Sequence, residues 1–389
     1  MDLSRELTAL AAEPSDEEKP VVSLTLDTRW RDEAQRRRVA VYVRDECRTA
    51  RDRYQPRSRA AAAVEEATRR IERWAAEMVG AAGDVAGVAL FASPPRGLWR
   101  EIRTSVALPP SFAVTPAPLL SPLAQLADRS EPVLLVLCDR RGGTVWESRL
   151  GEPLLSLALS RPAARRMKMA GWRQRSAQRR WNEQREQGQA DLSLLVGSLF
   201  DRAGRPAVIL AGPPDQVGAL RGKLPRRVQE QLLPDLHLPA GTAQSRVLAA
   251  ATRAIARAAR GREQEEVARI VGEALGAGGR AVIGPADVVL ATMEGRVKRL
   301  LVERGAAIAG WHCKACDAVG TKAAAGCPYC GGPTETRDLS EELVRRVIRA
   351  GGEAAVIDGG ARLAHFDGVA ALLRPGSGSA PVGWVQQEA

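Results

Sequence analysis

Cys313, Cys316, Cys327 and Cys330, in HCKACDAVGTKAAAGCPYCGG, form two C-x-x-C pairs ten residues apart. A C-x-x-C turn aims two thiolates at one ion, and two such turns complete a tetrahedral site with Zn–S distances of about 2.3 Å. Gly331 and Gly332 follow the second pair and let backbone amides turn toward sulfur. With four protein ligands no position is left for water, so the expected role is structural. Zinc would pin a small ribbon, 311–332, that cannot bury a core of its own. The spacing favours zinc over disulfides or free thiols, while iron held by the same four sulfurs stays open. His312 is surplus to a four-sulfur site. Of the other two cysteines, Cys138 sits in a strand pattern and reads as core, and Cys47 has no partner nearby in sequence. Four clustered and two isolated cysteines suit a reducing compartment better than a disulfide framework.

The second constellation is KMAGWRQRSAQRRW, Lys168–Trp181. Between Arg161 and Arg185 stand nine basic residues and one acid, Glu183, so eight of the chain's net +11 charges fall in this segment. A uniform bias toward arginine would not concentrate them. Such a density is costly in self-repulsion unless an anion is supplied, and phosphate is the natural one. Tryptophan and planar guanidinium groups stack on bases or follow a phosphate backbone. Arg165, Arg166, Lys168, Trp172, Arg173, Arg175, Arg179 and Arg180 are therefore the candidate RNA-binding residues, against the blander reading of a solvated basic face. Trp172 reads as a loop-tip contact and Trp181 as core.

The elements that must hold these groups read as alternating strands and helices, hence α/β domains. The 389 residues divide into three: 1–128, 129–243 and 244–375, with 376–389 a Gly/Ser-rich disordered tail. In the first, VVSLTLD is a strand and Val64, Ala67, Ile71, Trp74, Ala75 and Met78 share one helical face. DVAGVALFASPP is a second strand stopped by Pro-Pro, and the proline-rich 106–122 is a linker or an extended edge. In the second, PVLLVLCD and TVWESRL form a hairpin. The basic helix is expected from near Ser176 past Trp181, with an interruption at Gly188. PAVILAGP is a buried strand, and PPD opens a helix carrying Leu220, Leu224 and Val228. In the third, a helix marked by Val267, Ile270, Val271 and Ala274 precedes GRAVIGPADVVLATMEG, VKRLLV, the cysteine ribbon and a closing helix–strand pair. No run of about 18 apolar residues predicts a membrane span, and the acidic, polar N-terminus lacks the order of a secretory signal. A cytoplasmic monomer is the expectation.

At these residues the chain resembles the archaeal and eukaryotic class-one peptide-release factors and their pelota relatives, over roughly 130–375. VLLVLCDRRGGTVWESRLG resembles the central-domain hairpin that in the family precedes a Gly-Gly-Gln loop and a basic helix. Here Ala170-Gly171-Trp172-Arg173-Gln174 stands in its place, followed by Arg175-Ser176-Ala177. Bacterial homologues often carry a variant loop with a tryptophan and a displaced glutamine, and this sequence looks like one of them. GRAVIGPADVVLATMEGRVKRLLV, the ribbon found in many archaeal members and GGEAAVIDGG follow in family order.

The resemblance implies binding in the ribosomal A site, against rRNA and peptidyl-tRNA, with a translational GTPase as delivery partner. It implies peptidyl-tRNA hydrolysis with Gly171 and Gln174 as the catalytic pair, in ribosome rescue or peptide release. Glycine permits unusual backbone geometry. An amide orients water and stabilises an oxyanion without carrying charge. The ribosome supplies the remaining walls, so no Ser-His-Asp set is expected, and the chain has only three histidines. The alternative is a non-catalytic hibernation or protection factor occupying the same site, and a third class is an RNA-processing protein that never visits the ribosome. No Asn-Ile-Lys-Ser stop-codon-reading motif and no GxxxxGK[ST] nucleotide loop occurs.

Overall fold

The structure, a computed structural model, describes residues 3–375 except 30–32, 81–85, 105–106, 130–131, 140–141, 150–151, 161–171, 277–278, 323–325 and 359–360. The chain divides into two compact units: 1–128 together with 262–389, and 129–261.

The first unit opens with α1 (Leu3–Ala11), β1 (Val21–Asp27), α2 (Glu33–Asp52), α3 (Arg59–Gly80), β2 (Gly87–Ser93), β3 (Leu98–Thr104), β4 (Ser111–Thr115) and α4 (Ser121–Arg129). The four strands make an antiparallel sheet ordered β3-β2-β1-β4. The proline-rich segment thus supplies an edge strand, whose five residues SFAVT are free of proline and are bounded by Pro110 and Pro116. Val22, Leu24 and Leu26 alternate into a core closed by Val43 and Cys47 of α2 and Ala67, Ile71 and Ala75 of α3. Cys47 is buried there, its thiol pushed up to about 12 by burial first and Glu72 second, which makes it inert packing.

The second unit holds β5 (Pro132–Asp139), β6 (Gly142–Arg149), β7 (Glu152–Ser160), α5 (Trp172–Arg202), β8 (Ala207–Gly212), α6 (Pro214–Arg221), α7 (Arg226–Gln229), β9 (Leu236–His237) and the first half of α8 (Gln244–Leu275). The sheet order is β7-β6-β5-β8-β9, with β5, β8 and β9 parallel and the β5–β6–β7 meander antiparallel. One face packs Leu134, Val136, Val145, Val208 and Leu210 against Leu192, Val196, Leu199 and Phe200 of α5. The other packs Val133, Leu135, Trp146 and Ile209 against Val247 and Ala251 of α8. Cys138 lies buried in the first layer, where a side chain at Gly212 would sit 2.3 Å from its carbonyl oxygen. The helix expected through Val228 is broken: α6 ends at Arg221, and Pro225, which has no N–H to donate to a continuing helix, caps the start of α7.

The chain then adds β10 (Ala281–Ile283), α9 (Pro285–Met293), β11 (Val297–Glu303), β12 (Ala309–Cys313), β13 (Val319–Gly320), β14 (Thr334–Asp338), α10 (Ser340–Arg349), β15 (Glu353–Ile357), α11 (Ala361–Ala364) and β16 (Val369–Leu373) to the first unit. A mixed sheet β10-β16-β11-β15 and a small antiparallel sheet β13-β12-β14 result. The expected tail 376–389 lies outside the described residues. Mixed α/β architecture is what the sequence predicts, with several sheets each backed by helices.

Within this unit, Glu341 of α10 accepts the backbone N–H groups of Leu120 and Ser121 at 3.1 and 3.3 Å, capping α4 from 221 and 220 residues away. Burial raises its carboxyl above the ordinary 4.5. An acid with a raised native pKa loses stability when ionised, so the cost appears above pH 4.5 and is absent below it. Glu341→Gln keeps an acceptor without the charge. It is expected to match or exceed the wild-type melting temperature at pH 7 and to lose that advantage below about pH 4.5. Glu341→Ala removes the cap and is expected to cost about 1–2 kcal/mol. Thermal melts of both variants at pH 4 and 7 check this.

Candidate metal centre and RNA-contacting helix

Cys313 ends β12, and the chain turns back on itself at once. Cys313 N–H donates to the Ala318 carbonyl (2.8 Å), and Asp317 N–H donates to the Cys313 carbonyl (3.0 Å). The second C-x-x-C repeats both bonds: Cys327 N–H to Gly332 (2.9 Å) and Gly331 N–H to Cys327 (2.8 Å). Each turn needs a left-handed residue after its second cysteine. That residue is Gly331 (φ 71°) in one turn and Asp317 (φ 60°) in the other. Aspartate tolerates this region better than most side chains.

The four sulfurs lie within 4.8 Å of one another, with Cys313–Cys330 at 3.5 Å and Cys316–Cys327 at 3.6 Å. A tetrahedron with metal–sulfur bonds of about 2.3 Å has edges of roughly 3.8 Å, so this donor set fits one ion. Ala315 and Gly332 N–H groups point at Cys313 and Cys330 sulfur, each at 3.4 Å. Such donors stabilise thiolate, and the backbone N–H of Cys316 brings the Cys313 thiol down to about 6. At Cys316 the Ala318 N–H lowers the thiol, but the neighbouring Cys330 thiol, desolvation, and then Cys327 and Cys313 outweigh it and lift Cys316 to about 12. The four sulfurs together could hold one metal ion, and a bound cation would favour the thiolate form of all four.

The sequence reading missed what lies behind the turn. Asp317 accepts from His312 Nε2 (2.6 Å) and pairs with Arg346 (2.9 Å). Arg346 also donates to the Asp317 carbonyl and to Glu342, and Glu342 holds buried Arg345 at 2.7 Å. Burial opposes the Asp317 charge, yet His312 and Arg346 hold its carboxyl at about 2. Asp317 therefore occupies the left-handed position because its side chain ties the ribbon to α10. His312 faces this network and is no part of the cysteine cluster. The signal was present as Glu342, Arg345 and Arg346 at i, i+3 and i+4, but their partner lies 29 residues upstream of Arg346.

The basic segment divides at residue 172. Arg165, Arg166, Lys168 and Gly171 lie outside the described residues. Trp172, Arg173, Gln174, Arg175, Arg179 and Arg180 lie on the backbone of α5. The helix starts four residues before the expected Ser176, so Trp172 and Gln174 belong to its first turn rather than to a loop. It also runs through Gly188 without a break. Glycine there costs about 1 kcal/mol, which the packing of Leu192, Val196, Leu199 and Phe200 offsets. The anchored half begins at Gln189, which is buried and donates to Gln216 at 3.3 Å. Before Gly188 the described side chains, Glu183, Glu186 and Gln187, are exposed. The amides of the first helical turn have no intrahelical acceptor, and the dipole is positive there.

The central segment is a mixed sheet covered by helices on both faces, with a hairpin at one edge and a basic N-terminal half on α5. Residues 118–257 match the sequence model of bacterial archaeo-eukaryotic release factor family 10, so this stretch is a bacterial homologue of the archaeal and eukaryotic release factors and pelota. No curated protein matches the chain. Among solved structures, the archaeal translation termination factor aRF1 is 18% identical, covering 96% of this chain and 97% of that one, at a TM-score of 0.24. Pelota of Archaeoglobus fulgidus is 14% identical over 74% of this chain and 78% of its own, at 0.33. Dom34 of S. cerevisiae, a translation termination-like factor involved in RNA quality control pathways and interacting with Hbs1, is 12% identical over 74% and 79%, at 0.38. Among the described residues no helix is long and apolar enough to cross a membrane.

Proposed function

We propose that this chain is a translation factor that enters the ribosomal A site and frees the nascent peptide from stalled ribosomes. The observation that carries the reading is the release-factor match over 118–257, which contains the whole basic segment. In this reading 1–128, 129–243 and 244–375 act as the N-terminal, central and C-terminal modules, and a translational GTPase delivers the protein. Arg165, Arg166, Lys168, Trp172, Arg173, Arg175, Arg179 and Arg180 hold rRNA and tRNA backbone by releasing counterions. Gly171 allows the chain to approach the peptidyl-tRNA ester closely. The Gln174 amide orients the attacking water. N–H groups of the first turn of α5, which have no acceptor within the helix, face the charge that develops on the carbonyl oxygen, an arrangement worth about 3–4 kcal/mol per donor in known hydrolases. Zinc on Cys313, Cys316, Cys327 and Cys330 has no open coordination position and takes no part in the chemistry.

Peptide release from purified stalled ribosomes tests the assignment. Gln174→Ala is expected to slow release by about 10²-fold while leaving co-sedimentation with ribosomes unchanged. Release at the wild-type rate would remove Gln174 from the mechanism. A second reading, a hibernation factor that occupies the A site without chemistry, is favoured by the bulk of Trp172 and Arg173 between Gly171 and Gln174. It requires the wild-type protein to bind ribosomes and release nothing.

A further inference from the structure

The second unit carries another basic surface, on the opposite side of its sheet from α5. In the first half of α8, Arg246, Arg253, Arg257 and Arg260 are all exposed. Their spacing of i, i+7, i+11 and i+14 places them within about 60° of one another around the helix axis. The row is about 21 Å long at 1.5 Å per residue. The side of the helix turned away from it carries Val247, Leu248, Ala251, Ala254 and Ile255, which pack on β5, β6, β8 and β9. The arginines therefore face solvent on a rigid support. No acid occurs on α8 before Glu263, and none of the four arginines makes an ion pair among the described residues. Elsewhere in the same unit arginines are neutralised, as Arg221 is by Asp235 and Arg227 by Asp201.

We propose that this row is a second RNA-backbone contact, so that the unit is held between RNA segments on both faces of its sheet. The inference rests on the ribosome-directed reading above only for the identity of the RNA. Four cations left without counter-charges along a straight line match a regular polyanion. At about 3.4 Å of rise per phosphate, one nucleic-acid strand presents roughly six phosphates over this length. The residues beside the row are Ala249, Ala250 and Ala256, small enough to let a sugar–phosphate chain lie close. A membrane-surface helix would flank its cations with bulky apolar groups. The exposed large hydrophobic residues of the described chain are Val41, Leu194, Leu275 and Tyr329, none of them in 244–261. Guanidinium groups without intervening hydrogen-bonding side chains read charge and shape rather than sequence.

The test measures binding of the full-length protein to a fluorescent 20-base-pair RNA duplex across a salt series. Arg246→Gln, Arg253→Gln, Arg257→Gln and Arg260→Gln are combined in one variant. The expected result is a log–log salt slope shallower by about 3 and an affinity at least tenfold weaker at 100 mM salt. A variant with Arg175, Arg179 and Arg180 changed to Gln is expected to lose slope independently, and the two losses to add. An unchanged slope in the α8 variant, with its thermal melt intact, overturns the inference. So does a row-dependent affinity for vesicles of phosphatidylserine and phosphatidylcholine that exceeds the one for RNA. The duplex result is independent of ribosome binding: loss of slope in a protein that never co-sediments with ribosomes upholds the row and rejects the ribosomal reading, and the converse pattern does the reverse.

Discussion

Replacing Arg175, Arg179 and Arg180 with alanine is expected to abolish co-sedimentation with ribosomes at 150 mM salt and to weaken binding by about 10²-fold at 50 mM. The size follows from counterion release. Each phosphate contact contributes about 0.7–0.9 to the salt slope, and three lost contacts flatten it by about 2–3. The substitution is expected to leave the scaffold intact. The three positions lie on the N-terminal half of α5, ahead of the anchored stretch that begins at Gln189, and alanine is a better helix former than arginine. A melting temperature equal to wild type together with lost sedimentation is the signature. Binding that survives at 150 mM with an unchanged slope would remove this half of α5 from the interface and leave the segment a solvated basic face.

The other large effect is expected at the cysteines. Cys327→Ser is expected to reduce bound zinc from one equivalent per chain to none, measured by atomic emission on the purified protein. Cys313 and Cys327 are buried, and the core they share with Trp311 and Ala318 is small. A three-stranded sheet around so few apolar groups cannot offset its chain entropy alone. Metal binding supplies about 10–16 kcal/mol in short zinc modules, so most of the ribbon's order is expected to depend on a bound metal. Amides of β12, β13 and β14 are expected to lose hydrogen-exchange protection in the variant, and a chelator should do the same to wild type. Protection that persists without metal would show that the Asp317–Arg346–Glu342 network holds the ribbon by itself. Iron in place of zinc would appear as visible absorbance.

Local patterns were readable and distant ones were not. The cysteine turns are legible because both ligands of each turn come from one four-residue stretch, and Gly331 marks the left-handed residue openly. Asp317 does the same work unmarked, since nothing beside it indicates Arg346. Strands β1, β5 and β8 show in their alternation or their unbroken apolar runs. Helix α2 escaped notice because arginines crowd it, although Val43, Cys47 and Ala50 keep a core spacing of i, i+4 and i+7. The start of α8 escaped for the opposite reason: alanine fills so many of its positions that no apolar stripe stands out. The start of α5 was placed late because Trp172 beside Gly171 reads as loop chemistry, whereas Trp172 is the first residue of the helix.

The first unit is assembled from both ends of the chain, with the second unit threaded between them. During synthesis, 129–261 emerges as one continuous stretch and can close its sheet while later residues are still being added. The opening 128 residues must wait. Helix α1 rests against α10, and the cap of α4 is Glu341, so these partners arrive more than 200 residues afterwards. Until then Leu7, Leu10, Leu120 and Leu123, all buried at the end, have no complete cover. The nascent protein therefore passes through a long interval with a finished middle and an unfinished beginning, and that interval is when it is most exposed to misassembly and to chaperones.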